Sequence, residues 1–261
     1  MPSSERKAIA VAKADDLLNE LHIREPDEID VERIAIFKGA EVRYAPLQGM
    51  DGCLVRKGQS AVITIRSSLK YEGKRRFVIA HELGHFFLHP RTRQIETVDK
   101  QQANNWSDKQ ETEEYEANLF AAELLMPRTL FAPRGVRREP SFQLIESLAK
   151  EFSTALTASA VQFVRTTQEE CAVVSAGNRR RKWFIVSPGF EFQMLEDDYV
   201  HGHSCAAEVN ASKLSARSPD IEAGFWLEGF HGDHKSLITE DARFFPSLGR
   251  SLSLLWIHEE I

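Results

Sequence analysis

The stretch F-V-I-A-H-E-L-G-H-F-F-L-H, residues 77–89, decides how the rest of the chain is read. Side chains of an α-helix turn by about 100° per residue, so residues four apart lie one above the other. His81 and His85 therefore face the same way and can share one metal ion. Imidazole nitrogen suits zinc, which takes about four ligands in a tetrahedron. Glu82 follows the first histidine and borders the open side of such an ion, where it can take a proton from a water molecule. Phe77, Val78, Ile79, Ala80, Leu83, Phe86, Phe87 and Leu88 predict a helix buried nearly all round. Two histidines and a glutamate inside it need partners, and a metal supplies them. Gly84 costs the helix about 1 kcal/mol against alanine. That points to another backbone passing close by, such as a strand edge.

Upstream, residues 5–21 carry Ile9, Ala12, Leu17, Leu18 and Leu21 at helical spacing. Asp30 can cap a short helix from Val31 to Lys38 that stops at Gly39. Residues 41–45, 53–56 and 60–65 read as strands, with a turn at Gly49–Gly52, so a small antiparallel sheet precedes the helix. Downstream, Pro90 stops it and residues 91–110 read as a mobile loop. The segment E-T-E-E-Y-E-A-N-L-F-A-A-E-L-L-M-P, residues 111–127, predicts a second buried helix ended by Pro127. Arg134, Arg137 and Arg138 mark a basic link, and residues 141–152 and 157–166 read as two short helices. From Cys171 the texture changes to strands, at 171–175, 183–187, near 205–209 and 225–230, and at 252–257.

Two histidines leave zinc short of ligands, and a catalytic site needs a third protein ligand with one position open. Glu111, Glu113, Glu114 and Glu116 open the second helix. Glu114 lies four residues before Asn118 on the inward face, which favours Glu114 as ligand and leaves Asn118 to orient a ligating histidine from behind. The other three read as a solvated helix start favoured by the macrodipole.

These two motifs, in this order, resemble the ImmA/IrrE family of zinc metallo-endopeptidases. The resemblance covers residues 5–130 well, reaches loosely to 166 and fades from 171. It implies that His81, His85 and Glu114 bind zinc and that Glu82 is catalytic. It also implies cleavage of a helix-turn-helix repressor in the cytoplasm, releasing mobile-element or stress-response genes. Some members carry an N-terminal helix-turn-helix domain of their own. This chain starts too close to the peptidase part for one, so the repressor is expected to be a separate protein. The expected fold is α+β: a zincin-like metallopeptidase domain (1–130), a helical segment (131–168) and a β-rich C-terminal domain for recognition or sensing (169–261).

The 261 residues are 42% hydrophobic, with a formal charge of −6, so no basic field covers the chain. Cys53, Cys171 and Cys205 are sparse and odd in number, which fits a reducing compartment. No run approaches a membrane span. His89 reads as a helix cap or surface residue, and His231 and His234 as parts of a turn. His201, His203 and Cys205 could share a soft metal on a strand, but the segment reads equally as loop. Gln162 and Arg165 could offer a helix-turn-helix contact to bases, without the basic face that phosphates require. Arg179–Lys182 reads as a charged hairpin tip, so direct nucleic-acid binding is not the favoured reading. The rival function is a regulator that binds a repressor or DNA and uses zinc structurally, with a fourth protein ligand closing the site.

Overall fold

A computed structural model describes residues 3–89, 96–99, 113–136, 138–230, 236–246 and 248–257. Its helices and two sheets make the chain α+β. Two compact units emerge, Met1–Phe131 with Leu148–Ala158, and Ala132–Ser147 with Ser159–Ile261. The segment expected as a separate helical piece, 131–168, is thus shared out between them. Among the described residues no helix is long and apolar enough to cross a membrane.

In the first unit, α1 (Ser3–Glu20) buries Ala10, Ala14, Leu17 and Leu18, an i, i+4, i+7, i+8 face. Ile9 and Ala12, expected inside, are exposed, because Ala10 and Ala14 take the inward face. In α2 (Val31–Phe37), Asp30 caps the first turn by accepting from Arg33 N at 3.1 Å. Gly39 follows in the left-handed region, φ 84°. The sheet orders its strands β1 (Ala40–Ala45), β3 (Ser60–Arg66), β2 (Met50–Lys57), β4 (Glu96–Asp99).

The sheet is mixed, which corrects the antiparallel expectation. β3 is antiparallel to β2 but parallel to β1, with Ala40 opposite Ala61. The most apolar strand takes the middle: Ala61, Ile63 and Ile65 are buried, so β3 lies between β1 and β2 although it follows both in sequence. β2 also begins earlier than expected, and Met50–Gly52 belong to the strand rather than to a turn. Asp51, fully buried, holds this start against Arg66 and against Lys74 at 2.6 Å. β4 lies inside the expected loop, where polar residues hide a strand that is held by backbone pairing to β2. The rest of that loop, with Pro90 and Glu111, lies outside the described residues.

The two motif helices are α3 (Glu72–Leu88) and α4 (Glu113–Leu125). They pack along each other, with α1 against α4 and β2 and β3 against α3. α5 (Arg128–Gly135) occupies the expected basic link. Pro127 both ends one helix and starts the next, its carbonyl accepting from Phe131 N at 2.7 Å. α6 (Phe142–Glu151) and α7 (Leu156–Thr166) lie at the expected positions.

The second unit holds an antiparallel sheet ordered β6 (Arg180–Val186), β5 (Cys171–Gly177), β9 (Arg250–Trp256), β8 (Leu237–Phe245), β7 (Ala216–Glu222). Asn178 and Arg179, both at positive φ, make the two-residue turn between β5 and β6. Residues near 205–209 form α8 (Cys205–Ser212) rather than a strand, because Ser204 caps them by accepting from Ala207 N. The segment expected as a strand at 225–230 ends a 3-10 turn, Ala223–Phe225, and continues without strand pairing among named elements. β7 is not evident from the sequence because Pro219 interrupts it. It is an edge strand with a register shift between Ser218 and Ile221, where a proline is tolerated.

One buried carboxylate ties this unit together. Glu240 of β8 accepts from Cys205 N and Ala206 N at the start of α8, at 3.0 and 2.8 Å. It also accepts from Trp226 Nε1 at 3.1 Å and Ser253 Oγ at 2.8 Å. Burial pushes its carboxyl up, against four hydrogen bonds that pull it down. Glu240→Ala strands these donors and is expected to destabilise the chain by about 3 kcal/mol or more. Glu240→Gln is expected to lose less, about 1–3 kcal/mol, because Ser253 can turn to accept from the amide while Ala206 N cannot. Urea denaturation of both variants checks the order; equal stability would remove the anchoring role.

Candidate metal centre

The centre is built where α3 and α4 touch. A Cβ on Gly84 would lie 2.9 Å from Ala117 Cα and 3.1 Å from Ala117 O. The glycine is therefore explained by a passing backbone, but that backbone is the helix α4 and not a strand edge. This approach carries Glu114, one turn before Asn118, onto the histidine face of α3.

His81 Nε2 and His85 Nε2 lie 3.0 Å apart. Glu114 Oε2 lies 3.3 Å from His81 Nε2, and Oε1 lies 3.4 Å from His85 Nε2. A tetrahedral zinc with bonds of about 2.0–2.1 Å separates its ligand atoms by about 3.3–3.5 Å, so the three fit around one ion. Among the described residues these three form the cluster able to hold a metal. Both histidines are 1% exposed, whereas the Glu114 side chain is 25% exposed, so solvent reaches the centre from the glutamate side. Burial is the largest influence on His81 and pushes it below its ordinary value of 6.5, towards the neutral form that ligates. Burial alone would raise Glu114, but hydrogen bonds and charge attraction from His81 and His85 outweigh it and hold the carboxyl well below its usual range.

Behind these three residues stand further side chains. Asn118 Oδ1 lies 2.9 Å from His81 Nδ1, the orienting contact its spacing suggested. His89 is not a surface residue. It is 7% exposed, with Nδ1 3.0 Å from His85 Nδ1 and Nε2 3.0 Å from Glu116 Oε2. Glu116 is not a solvated helix start either, since Arg6 Nη1 holds its other oxygen at 3.2 Å. Glu113 is exposed, as expected, and Glu111 lies outside the described residues. Arg56 of β2 donates to the carbonyls of His85 and Phe86 at 3.1 and 2.7 Å, a cation at the negative end of α3.

Glu82 is fully buried and lies against β2. A Cβ on Gly52 would sit 2.7 Å from its Oε1 and 2.4 Å from Val78 Cγ1. Sequence reasoning misses Gly52, although an isolated glycine beside a strand pattern is the signal for such an approach.

The other sequence candidates do not assemble. His201 stacks on Phe225 with ring centroids 3.8 Å apart, and Cys205 is buried at the start of α8, so neither joins a metal cluster among the described residues. Gln162 is buried and unavailable to base edges. At the hairpin tip Arg180 pairs with Asp198, and Arg181 lies over the Phe184 ring. His231 and His234 lie outside the described residues.

Two outcomes follow for the metal. Glu114→Ala is expected to lose most of the bound metal while Glu113→Ala keeps it, as metal analysis of purified protein would show; equal content would remove Glu114 from the cluster. Gly84→Ala gains about 1 kcal/mol of helix propensity but overpacks α4 by about 1–3 kcal/mol. It is expected to be less stable than the parent and to bind metal more weakly; a more stable variant would show that the helices are not in contact there.

Three comparisons bear on this geometry. Residues 38–162 match the family model of the IrrE N-terminal-like domain, peptidase M78. A solved Mycobacterium tuberculosis transcriptional regulator is similar in fold, with TM-score 0.59 and 14% identity over 98% of this chain and 82% of that one. No curated protein matches the chain. The matched span contains both motif helices and all three converging side chains, so residues 38–162 carry an IrrE N-terminal-like domain, which supports the resemblance to the ImmA/IrrE family.

Proposed function

We propose that the chain is a zinc-dependent endopeptidase of zincin-like build. Its substrate is a helix-turn-helix repressor in the cytoplasm, and cleavage releases the mobile-element or stress-response genes that the repressor holds silent. The observation that supports a peptidase over a structural zinc protein is the ligand count. Among the described residues three side chains converge, and His89, a candidate for a fourth, has both ring nitrogens directed to other partners. A structural zinc is closed by four protein ligands, whereas a catalytic one keeps a position open. Zinc, when bound there, supplies a Lewis acid that polarises the scissile carbonyl and lowers the pKa of water towards about 7.

The chain's own groups do the rest. His81 and His85 are held at fixed ring angles from behind. Glu82 lies about 100° around the helix from His81, so its carboxylate borders the centre without joining the three ligands. It accepts the proton of the attacking water and returns it to the leaving amine. Gly52 leaves the room that this carboxylate occupies. The second unit is assigned to recognition of the repressor or to sensing.

The test is Glu82→Gln. An amide of the same shape cannot accept the proton, so zinc content and repressor binding are expected to persist. Cleavage should fall by at least about 10²- to 10⁴-fold. Co-expression with the repressor encoded nearby, followed by intact-mass measurement, reads cleavage, and derepression in cells reads the outcome. Normal derepression by a zinc-loaded Glu82→Gln chain would overturn the peptidase reading in favour of a non-catalytic regulator that binds a repressor or DNA.

A further inference from the structure

The two nitrogens of His85 have opposed duties. Nε2 faces His81 and Glu114, so it must keep its lone pair for the ion. A neutral imidazole that ligates through Nε2 carries its hydrogen on Nδ1. Nδ1 is 3.0 Å from His89 Nδ1, so His85 donates and His89 accepts. The hydrogen of His89 is thereby forced onto Nε2, which donates to Glu116 Oε2 at 3.0 Å. Arg6 donates to the other oxygen of Glu116 at 3.2 Å. Each link permits one direction once the ion is bound.

We infer that His89, anchored by Glu116 and Arg6, is a positioning residue that sets the tautomer and ring angle of His85. The inference rests on the reading of His81, His85 and Glu114 as metal ligands. The two ligating histidines are oriented by different chemistry. His81 meets a neutral amide, Asn118 Oδ1 at 2.9 Å. His85 meets a second imidazole backed by a carboxylate, so negative charge reaches it through His89 and increases its strength as a ligand. The helix supplies the geometry: His89 follows His85 by four residues and stands one turn above it, while its own N–H bonds back to His85 O at 3.1 Å. Glu116 arrives from α4 two residues after the ligand Glu114. The same helix contact thus places both the ligand and the anchor. A histidine serving only as packing would need neither the donor facing its Nδ1 nor the carboxylate facing its Nε2.

Two measurements on the full chain test this. NMR of protein carrying ¹⁵N-labelled histidine, loaded with zinc, is expected to show His89 protonated at Nε2 and bare at Nδ1; the reverse tautomer would overturn the inference. Zinc affinity is read by competition with a chromogenic chelator. His89→Leu is expected to bind zinc about 10- to 100-fold more weakly. His89→Gln, whose amide oxygen can accept from His85 and whose NH₂ can donate to Glu116, is expected to recover to within a few-fold of the parent. Unchanged affinity in His89→Leu overturns the inference, and so does an equal loss in both variants, which would mark a packing role. If His89→Leu does not fold, Glu116→Ala takes its place: weaker zinc binding supports the inference and parental affinity overturns it. A parent chain that takes up no zinc overturns this inference together with the metal centre. None of these readouts needs peptide cleavage, so failure of the peptidase reading alone leaves the test intact.

Discussion

Three acceptor atoms converge on one point inside an apolar helix pair, and the first unit is arranged around that fact. When His81 and His85 carry their hydrogens on Nδ1, two imidazole nitrogens and a carboxylate oxygen each turn a lone pair to that point. In that form their burial is best offset by something positive at the point between them, and the cluster could hold a metal ion there. The surrounding chain serves that requirement. α1 seats Arg6 against the rear of the cluster, β2 supplies Arg56 to the end of α3, and Asp51 locks the start of β2 through Lys74 and Arg66. The sheet works as a support on which α3 is clamped at both ends.

The centre is largely legible in the residues because its chemistry is local. The i, i+4 pair of histidines, the glutamate between them and the Glu114–Asn118 spacing all follow from one helical period. What escapes a reading of the sequence is tertiary. His89 and Glu116 are ordinary one at a time, a histidine before a proline and one glutamate among several. They acquire meaning only when α4 lies against α3. Gly52 passes for part of a turn because its neighbours look like one, whereas the strand there is fixed by the buried pairs of Asp51. The antiparallel expectation fails for the same reason: the order of strands reflects which is most apolar, and that ranking acts across the sheet rather than along the chain.

In the second unit the sequence is less informative. Its β-rich texture is visible, but individual elements are not. α8 has small residues that mimic a buried strand, and its identity depends on Ser204 and on a glutamate 35 residues further on. β7 carries a proline, which argues against a strand until its position at the sheet edge is known. Periodicity cannot report a long-range cap or an edge. The paired arginines at the hairpin tip are easier to place, since the two-residue turn at Asn178–Arg179 is again a local matter.

The approach at Gly84 has an evolutionary side. Two packed residues ordinarily drift together, one growing as the other shrinks. That route is closed here, because the nearest atoms facing Gly84 are the Cα and carbonyl oxygen of Ala117, with its methyl only third at 3.2 Å. Trimming residue 117 to glycine would leave both backbone atoms in place. A methyl acquired at 84 therefore has no second-site suppressor at the position it touches, and relief must come from shifting a whole helix that carries Glu114. The position is constrained without a covarying partner, and a statistical search for paired changes would pass over this close contact between α3 and α4.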